Sequence, residues 1–364
     1  MYRINVYDFT GVTQLTSLFV PANVYGLQYS TELSKAGSAT FKIKTLDSKA
    51  TATNLQLYNR IKIYNGGSVV FSGFIETLQV DVNEIEVQCP GILALFQKRI
   101  KSLIINGSYM PTSGVAAFKL LTDTNADQDT GIVAGTDTTA NTLHNLEMSH
   151  SPIFTSWQKL VQLADTDMEI DFDGNFNIGT VGTDKSATVI FRYIQGQINT
   201  ATMYEFDVQV SGKDMANSIR GKGSSWSITA TSSDAASKSQ FGLLEKMYSS
   251  PQNTGSVADL TAELDTEVLT DKQEFYVPKV RPNLEKMGMD DFIVGDVVGM
   301  RLSNGFIDVD ETYRVIKKSV RISDSLTPVV DVGLIQSSNN KLPSSFFDDI
   351  IDLRDRVGRI EETS

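Results

Sequence analysis

The side chains able to do chemistry are few and scattered. Only two histidines occur, His144 and His150, six residues apart. That separation matches neither the i,i+4 pairing of a helical zinc motif nor another metal-binding pattern, so both read as solvent-facing loop histidines. Asp171, Asp173 and Asn175 resemble the opening of a calcium loop, in which oxygen ligands alternate along the chain. Such a loop needs glycine at its sixth place and a bidentate glutamate at its twelfth, where this chain has Phe176 and Gly182. Asp173-Gly174-Asn175 suits a hairpin turn instead. Gly221-Lys222-Gly223 lacks the spacing and trailing Lys-Ser/Thr of a phosphate loop and reads as a tight turn. Cys89 is the single cysteine, which excludes an intrachain disulfide and a cysteine-based zinc cluster. Its place in the alternating run Ile85-Glu86-Val87-Gln88-Cys89 predicts an inert buried thiol rather than a nucleophile. The 44 acidic residues offer many chance carboxylate pairs, and no Ser-His-Asp set carries a G-x-S-x-G signature. No catalytic residue, metal site or cofactor is expected, and the chain reads as a non-enzyme.

The elements around these residues are those of a folded globular protein. At 364 residues the chain has room for two or three domains, and 41% hydrophobic with 21% charged residues is ordinary for a packed globule. The net charge of -12 disfavours a binder of free nucleic acid, since grip on phosphates requires Lys and Arg. It would suit a surface that DNA slides past. The start, Met1 to Asp8, alternates like a strand without an apolar secretory core, and no stretch approaches the roughly 18 apolar residues of a membrane span. A protein made in the cytoplasm without an export signal is expected.

The first hundred residues read as β-structure. Phe41 to Thr45 and Arg60 to Tyr64 alternate, Asn65-Gly66-Gly67 supplies a hairpin turn, and Val69 to Glu76 returns. Glu84 to Cys89 is expected to complete a three-strand meander, and Ile92 to Phe96 a short apolar segment closed by Gln97-Lys98-Arg99. Ser113 to Leu121 has helical spacing, residues 122–142 read as a loop, and a helix is predicted over Ser151 to Ala164 with Pro152 in its first turn. Trp157 sits on the apolar face of that helix, so core packing is expected for it. A hairpin joins Met168–Phe172 to Phe176–Ile178. Strands resume from about residue 187, with a polar run at 227–239 and a helix around Asp259 to Val268.

The C-terminal segment is the most readable. Pro343-Ser344-Ser345 leads into Phe346, and Ser345 with Asp348 forms an S-x-x-D helix start. Phe346, Ile350, Leu353, Val357 and Ile360 follow with heptad spacing, Ile350 and Val357 at a and the others at d. Asp349 at g lies five before Arg354 at e, and Arg356 at g five before Glu361 at e, opposite signs that favour a parallel coiled coil. Two heptads are too short to associate alone. The expected self-association is therefore driven mostly by the body and finished by this seam.

Arg60 to Arg99 resembles the N-terminal domain of phage minor tail proteins of the hub family. The likeness is carried by Val70-Phe71-Ser72-Gly73-Phe74-Ile75-Glu76 and by Ile85 through Arg99. Tyr204 to Val208 with Ala216-Asn217-Ser218-Ile219-Arg220-Gly221 is similar to a second passage of that family. Val294 to Val298, Tyr313 to Ile316 and Val329 to Ile335 are similar to a third. The resemblance implies a mainly β protein with an α/β insertion: two tube-like β-barrel domains (residues 1–98, and 203–230 with 275–336), a mixed domain (99–202 with 231–274) and a C-terminal coiled-coil helix (343–364). It also implies a trimeric adaptor at the tail tip of a virion. The implied partners are other copies of the chain, the tail tube or distal tail ring, the tape measure protein and a central tip or fibre, with DNA passing through the lumen. Two alternatives are a carbohydrate-binding receptor module of a tail fibre, for which Trp157 and Trp226 are too isolated, and a cell-wall hydrolase, which would need a carboxylate pair in a cleft. Any hydrolase activity is expected on another chain or a continuation of this one.

Overall fold

The computed structural model describes residues 1–105, 110–143, 146–212, 215–223, 227–249, 256–272, 275–323 and 326–336. In chain order the strands are β1 Tyr2–Tyr7, β2 Gln14–Phe19, β3 Val24–Glu32, β4 Ser38–Lys44, β5 Arg60–Asn65, β6 Ser68–Phe74, β7 Thr77–Val80 and β8 Glu84–Pro90. The middle holds β9 Ile100–Ile105, β10 Val133–Asp137, β11 Leu146–Pro152, β12 Asp167–Ile170, β13 Asn175–Gly179, β14 Ile190–Ile194 and β15 Met203–Ser211. Then follow β16 Ser218–Lys222, β17 Thr229–Ser233, β18 Glu245–Ser249, β19 Phe275–Pro282, β20 Val297–Ser303, β21 Asp308–Ile322 and β22 Pro328–Gln336. Four α-helices among the described residues span Ser113–Asp127 (α1), Ile153–Ala164 (α2), Ala235–Phe241 (α3) and Val257–Asp271 (α4), and a 3-10 helix spans Ile92–Lys98. None of these helices is long and apolar enough to cross a membrane.

The chain divides into two compact units, Met1–Asp207 with Lys279–Leu334, and a second built on Val208–Pro278. In the first unit, period-two alternation makes β1 and β5 bury Ile4, Val6, Ile61 and Ile63 completely. They lie side by side in a four-stranded sheet ordered β2-β1-β5-β6. The β5–β6 hairpin closes at Asn65-Gly66, with Gly66 at φ +60, as the Asn-Gly-Gly sequence predicts. A larger sheet runs β15-β19-β22-β21-β3-β4-β8-β7, with β14 and β20 branching from β21.

Two expectations are corrected here. The three-strand meander does not form: β8 pairs with β4 and β7, in the larger sheet, while β6 stays with β5. The chain crosses between the sheets at Gly73 to Ile75, where Gly73 bridges Gly91. A Cβ on Gly73 would stand 2.3 Å from the Pro90 carbonyl oxygen, so glycine is what allows the crossing. Nor does any sheet of the described residues close into the tube-like barrel expected; the molecule is mainly β with several open sheets. The segment expected to carry the coiled coil, 343–364, lies outside the described residues.

A large apolar cluster packs the 3-10 helix, α1 and α2 with β9, β11, β12 and β13. Trp157 of α2 is fully buried, stacked on Phe176 with centroids 4.0 Å apart and tilted against Phe96 at 4.6 Å. Its indole N–H donates to the Ala117 carbonyl at 3.1 Å, so the ring's one polar atom is satisfied in the core. α1 runs to Asp127, and β10 occupies Val133–Asp137, so much of the expected 122–142 loop is regular structure. In the second unit, α4 covers one face of the sheet β17-β16-β18 through Leu260, Leu264 and Val268.

Candidate assembly surfaces

Each residue picked for possible chemistry has a structural place. The Asp171 carboxylate accepts hydrogen bonds from the backbone N–H of Asp173 at 2.9 Å and of Asn175 at 2.8 Å, and from the Asn175 side chain at 2.8 Å. Burial pushes this carboxyl up, but those donors outweigh burial and hold it below its ordinary value. It is the clasp of the β12–β13 hairpin. Gly221 and Lys222 lie within β16 rather than in a tight turn. The glycine is there because a Cβ would press on Leu264 at 2.8 Å, so its absence lets α4 settle onto the sheet. Cys89 is buried in β8, and burial pushes its thiol well up, away from thiolate chemistry. His150 is exposed, and its backbone N–H donates to the Ser102 hydroxyl at 3.0 Å. His144, Trp226 and the seam residues Phe346, Asp349, Ile350, Leu353, Arg354, Arg356, Val357, Ile360 and Glu361 lie outside the described residues. Among the described residues no three His, Cys, Asp or Glu side chains gather as metal ligands would.

The buried charges of the first unit bind its layers to one another. Arg60, 7% exposed, donates to the Phe9 carbonyl at 3.0 Å and the Thr130 carbonyl at 2.7 Å, and burial pulls its pKa down to about 10. Lys318 donates to the carbonyls of Met289 at 2.6 Å and Phe292 at 3.0 Å, with burial lowering its pKa to about 8. Asp296 accepts from the N–H groups of Thr183 at 2.8 Å and Ile293 at 2.9 Å and pairs with Lys185 at 2.9 Å. Arg314 reaches the Asp167 carboxylate, the Val181 carbonyl at 2.8 Å and the Gly295 carbonyl at 3.0 Å. These groups are spent on backbone carbonyls, backbone amides and one another. Their chemistry is that of fasteners.

Among the exposed large apolar residues, several stand at strand ends and turns. Leu46 is 98% exposed beside the β7–β8 turn, where Val80 and Val82 are also exposed; the Thr45 N–H donates to Asn83 O at 3.1 Å and fixes that neighbourhood. β7 is the edge strand of its sheet. At the β20–β21 hairpin tip, Phe306 is 92% exposed. Sequence reading passed over that tip, although Asn304-Gly305 between two apolar runs is a hairpin signal.

Solved structures share this arrangement of sheets and helices. A tail protein from Neisseria meningitidis MC58 superposes with a TM-score of 0.66 at 12% identity, covering 94% of this chain and 99% of its own. The chain has the fold of a phage tail protein. The 43 kDa tail protein of prophage MuSo2 from Shewanella oneidensis matches at 0.65 and 12% identity, over 93% of this chain and 100% of its own. The E. coli c3393 protein, a component of the type VI secretion system with structural similarity to T4 bacteriophage tail proteins gp27 and gp5, matches at 0.52 and 8% identity, over 90% of this chain and 78% of its own. No protein-family model matches the sequence, and neither does any curated protein.

Proposed function

We propose that this chain is a structural hub of a phage tail tip: a ring-forming trimer that joins a sixfold tail tube to the central tip or fibre. The observation that carries this reading is the likeness in fold to tail proteins over 94% of this chain and 99% of its neighbour. In this reading residues 1–98 and residues 203–230 with 275–336 are two tube-facing β-modules, and 99–202 with 231–274 form the α/β module beside them. Pairing of β3 with β21 lays strands from the two β-modules side by side in one sheet. Three copies then offer six such modules to a sixfold ring. The heptads at 346–360 complete the trimer, and the tube or distal ring, the tape measure protein and the tip or fibre are its neighbours. The charge of -12 supports a lumen through which DNA passes without sticking. The chain acts by assembly, without cofactor or catalysis. Immunogold labelling of purified tail particles tests the reading. Gold confined to the tail end distal to the capsid is the expected result, and particles that bind no gold, or bind it along the tube, rule it out.

A further inference from the structure

The four strands β2, β1, β5 and β6 contain no Asp or Glu, in a chain that has 44 of them against 32 Lys and Arg. One face of their sheet is core, where Ile4, Val6, Ile61 and Ile63 are buried. Register sets the opposite face. Arg3 lies between Phe19 and Tyr64, and Asn5 between Ser17 and Lys62. Tyr7 lies between Gln14 and Arg60, whose guanidinium is already held by two carbonyls. Hydrogen bonds fix this face in place. Asn5, 5% exposed, donates to the Gln14 side-chain oxygen at 3.2 Å and to the Tyr7 hydroxyl at 3.3 Å, and its own oxygen accepts from Ser17 at 2.9 Å. The hydroxyls of Tyr7 and Tyr64 stand 3.4 Å apart.

Two cations on this face lack a counter-charge. The Arg3 guanidinium lies 4.5 Å from the centre of the Tyr64 ring and forms no ion pair among the described residues. The Lys62 ammonium donates to the Phe172 carbonyl at 2.6 Å, which leaves its remaining N–H groups and its charge unmatched. Burial pushes the Tyr7 phenol up, but hydrogen bonds with Tyr64 and Asn5 and the charges of Lys62 and Arg3 outweigh it and hold the group below its ordinary value. A planar guanidinium and an ammonium on a preset polar face are complementary to carboxylates. The chain itself supplies these in excess. Its net charge is -12, and the exposed Asp81, Asp129 and Asp308, all on other elements, make no ion pair among the described residues. A contact between such unlike surfaces is heterologous, so it closes a ring instead of joining two copies by the same patch. We propose that the open face of the β2-β1-β5-β6 sheet docks a second copy of this chain, whose carboxylates reach Arg3 and Lys62. That the ring has three members rests on the tail-hub reading; the charge pairing does not.

The test uses the purified full chain, as a mixture of isotope-labelled and unlabelled copies treated with a carbodiimide, which joins a lysine to a carboxylate in direct contact with it. Peptides joined through Lys62 to an Asp or Glu should include mixed-isotope species, which only a link between copies produces. Arg3→Gln combined with Lys62→Gln should raise the concentration at which the assembly half-dissociates about tenfold, and should flatten its dependence on salt. Arg3→Lys combined with Lys62→Arg keeps both charges and should dissociate closer to the parent, which separates lost charge from a disturbed fold. Lys62 links confined to one copy, no Lys62 link at all, or an unchanged dissociation profile for the double Gln variant each overturn the docking face. If the parent is a trimer and the double Gln variant dissociates as it does, only the docking face falls. If Lys62 joins copies in an assembly other than a trimer, the face stands and the hub reading falls. A single chain mass at every concentration ends both.

Discussion

Arg314 on β21 and Asp167 on β12, 147 residues apart in sequence, form an ion pair with both side chains largely buried. The pair ties the large sheet to the short sheet beneath the helices, and Arg314 also donates to two carbonyls from the turns around Val181 and Gly295. Burial pushes the Asp167 carboxyl up, and the neighbouring Arg314 guanidinium only partly offsets that. Removing the cation alone leaves a buried carboxylate without its partner. Arg314→Met should therefore cost about 3–5 kcal/mol in urea unfolding, whereas the double change with Asp167→Leu should cost clearly less. With Asp167→Leu measured alone as well, a double-variant loss equal to the sum of the two single losses would show that the pair is not coupled.

Asp296 predicts the acid limit of the first unit. Burial raises this carboxyl, but the Ile293 N–H, the Lys185 ammonium and the Thr183 N–H outweigh it and hold the group below its ordinary value of 3.8. A depressed carboxyl stabilises the fold above its unfolded pKa, and the contribution is lost as pH falls through the folded value. The stability gap between the parent and Asp296→Asn should be open at pH 7, begin to close below about pH 4 and keep closing on further acidification. Chemical denaturation across that pH series checks it; a gap that widens as pH falls contradicts the assignment.

Gly221 sets the second unit. Its missing Cβ would meet two terminal carbons of Leu264 at 2.8 and 2.9 Å and one of Leu260 at 3.1 Å. Gly221→Val should destabilise that unit by about 1–3 kcal/mol through overpacking. Hydrogen exchange should show faster exchange over 216–222 and 257–271, with protection in β1 and β5 unchanged. Unaltered exchange in α4 would mean the helix does not depend on that close approach.

Much of this was legible before the structure because it is local. Asn65-Gly66-Gly67 between alternating runs gave the β5–β6 hairpin, and the spacing of Ile153, Trp157, Leu160 and Val161 gave α2. What escaped depends on partners far away in the chain. The alternation of Ile85, Val87 and Cys89 marks a strand but not its neighbour, and β8 joined β4 instead of β6. Thr229–Ser233 forms β17 with no apolar residue larger than Ala230, held by its pairing to β16, so the sequence showed only a polar run there. Nothing in the local sequence of Arg60, Lys318 and Arg314 shows that they are buried. The exposed Phe306 drew no notice either: a single phenylalanine after Asn-Gly has no periodicity to mark it.

Leu353→Asp places a carboxylate at the central d position of the proposed seam, against its own copies. It should shift the trimer towards dissociation on dilution while the far-ultraviolet strand signal stays, and Arg354→Asp should do less, since exposed e-position pairs contribute under about 1 kcal/mol. An unchanged dilution profile for Leu353→Asp would make the heptad spacing a coincidence.

The most direct check on the hub reading is the native mass of the purified full chain, measured by sedimentation equilibrium over a wide concentration range. The account predicts a species of three chain masses that persists into the micromolar range. A single chain mass at every concentration, or a stable dimer, would contradict it, because neither can present six β-modules to a sixfold tube.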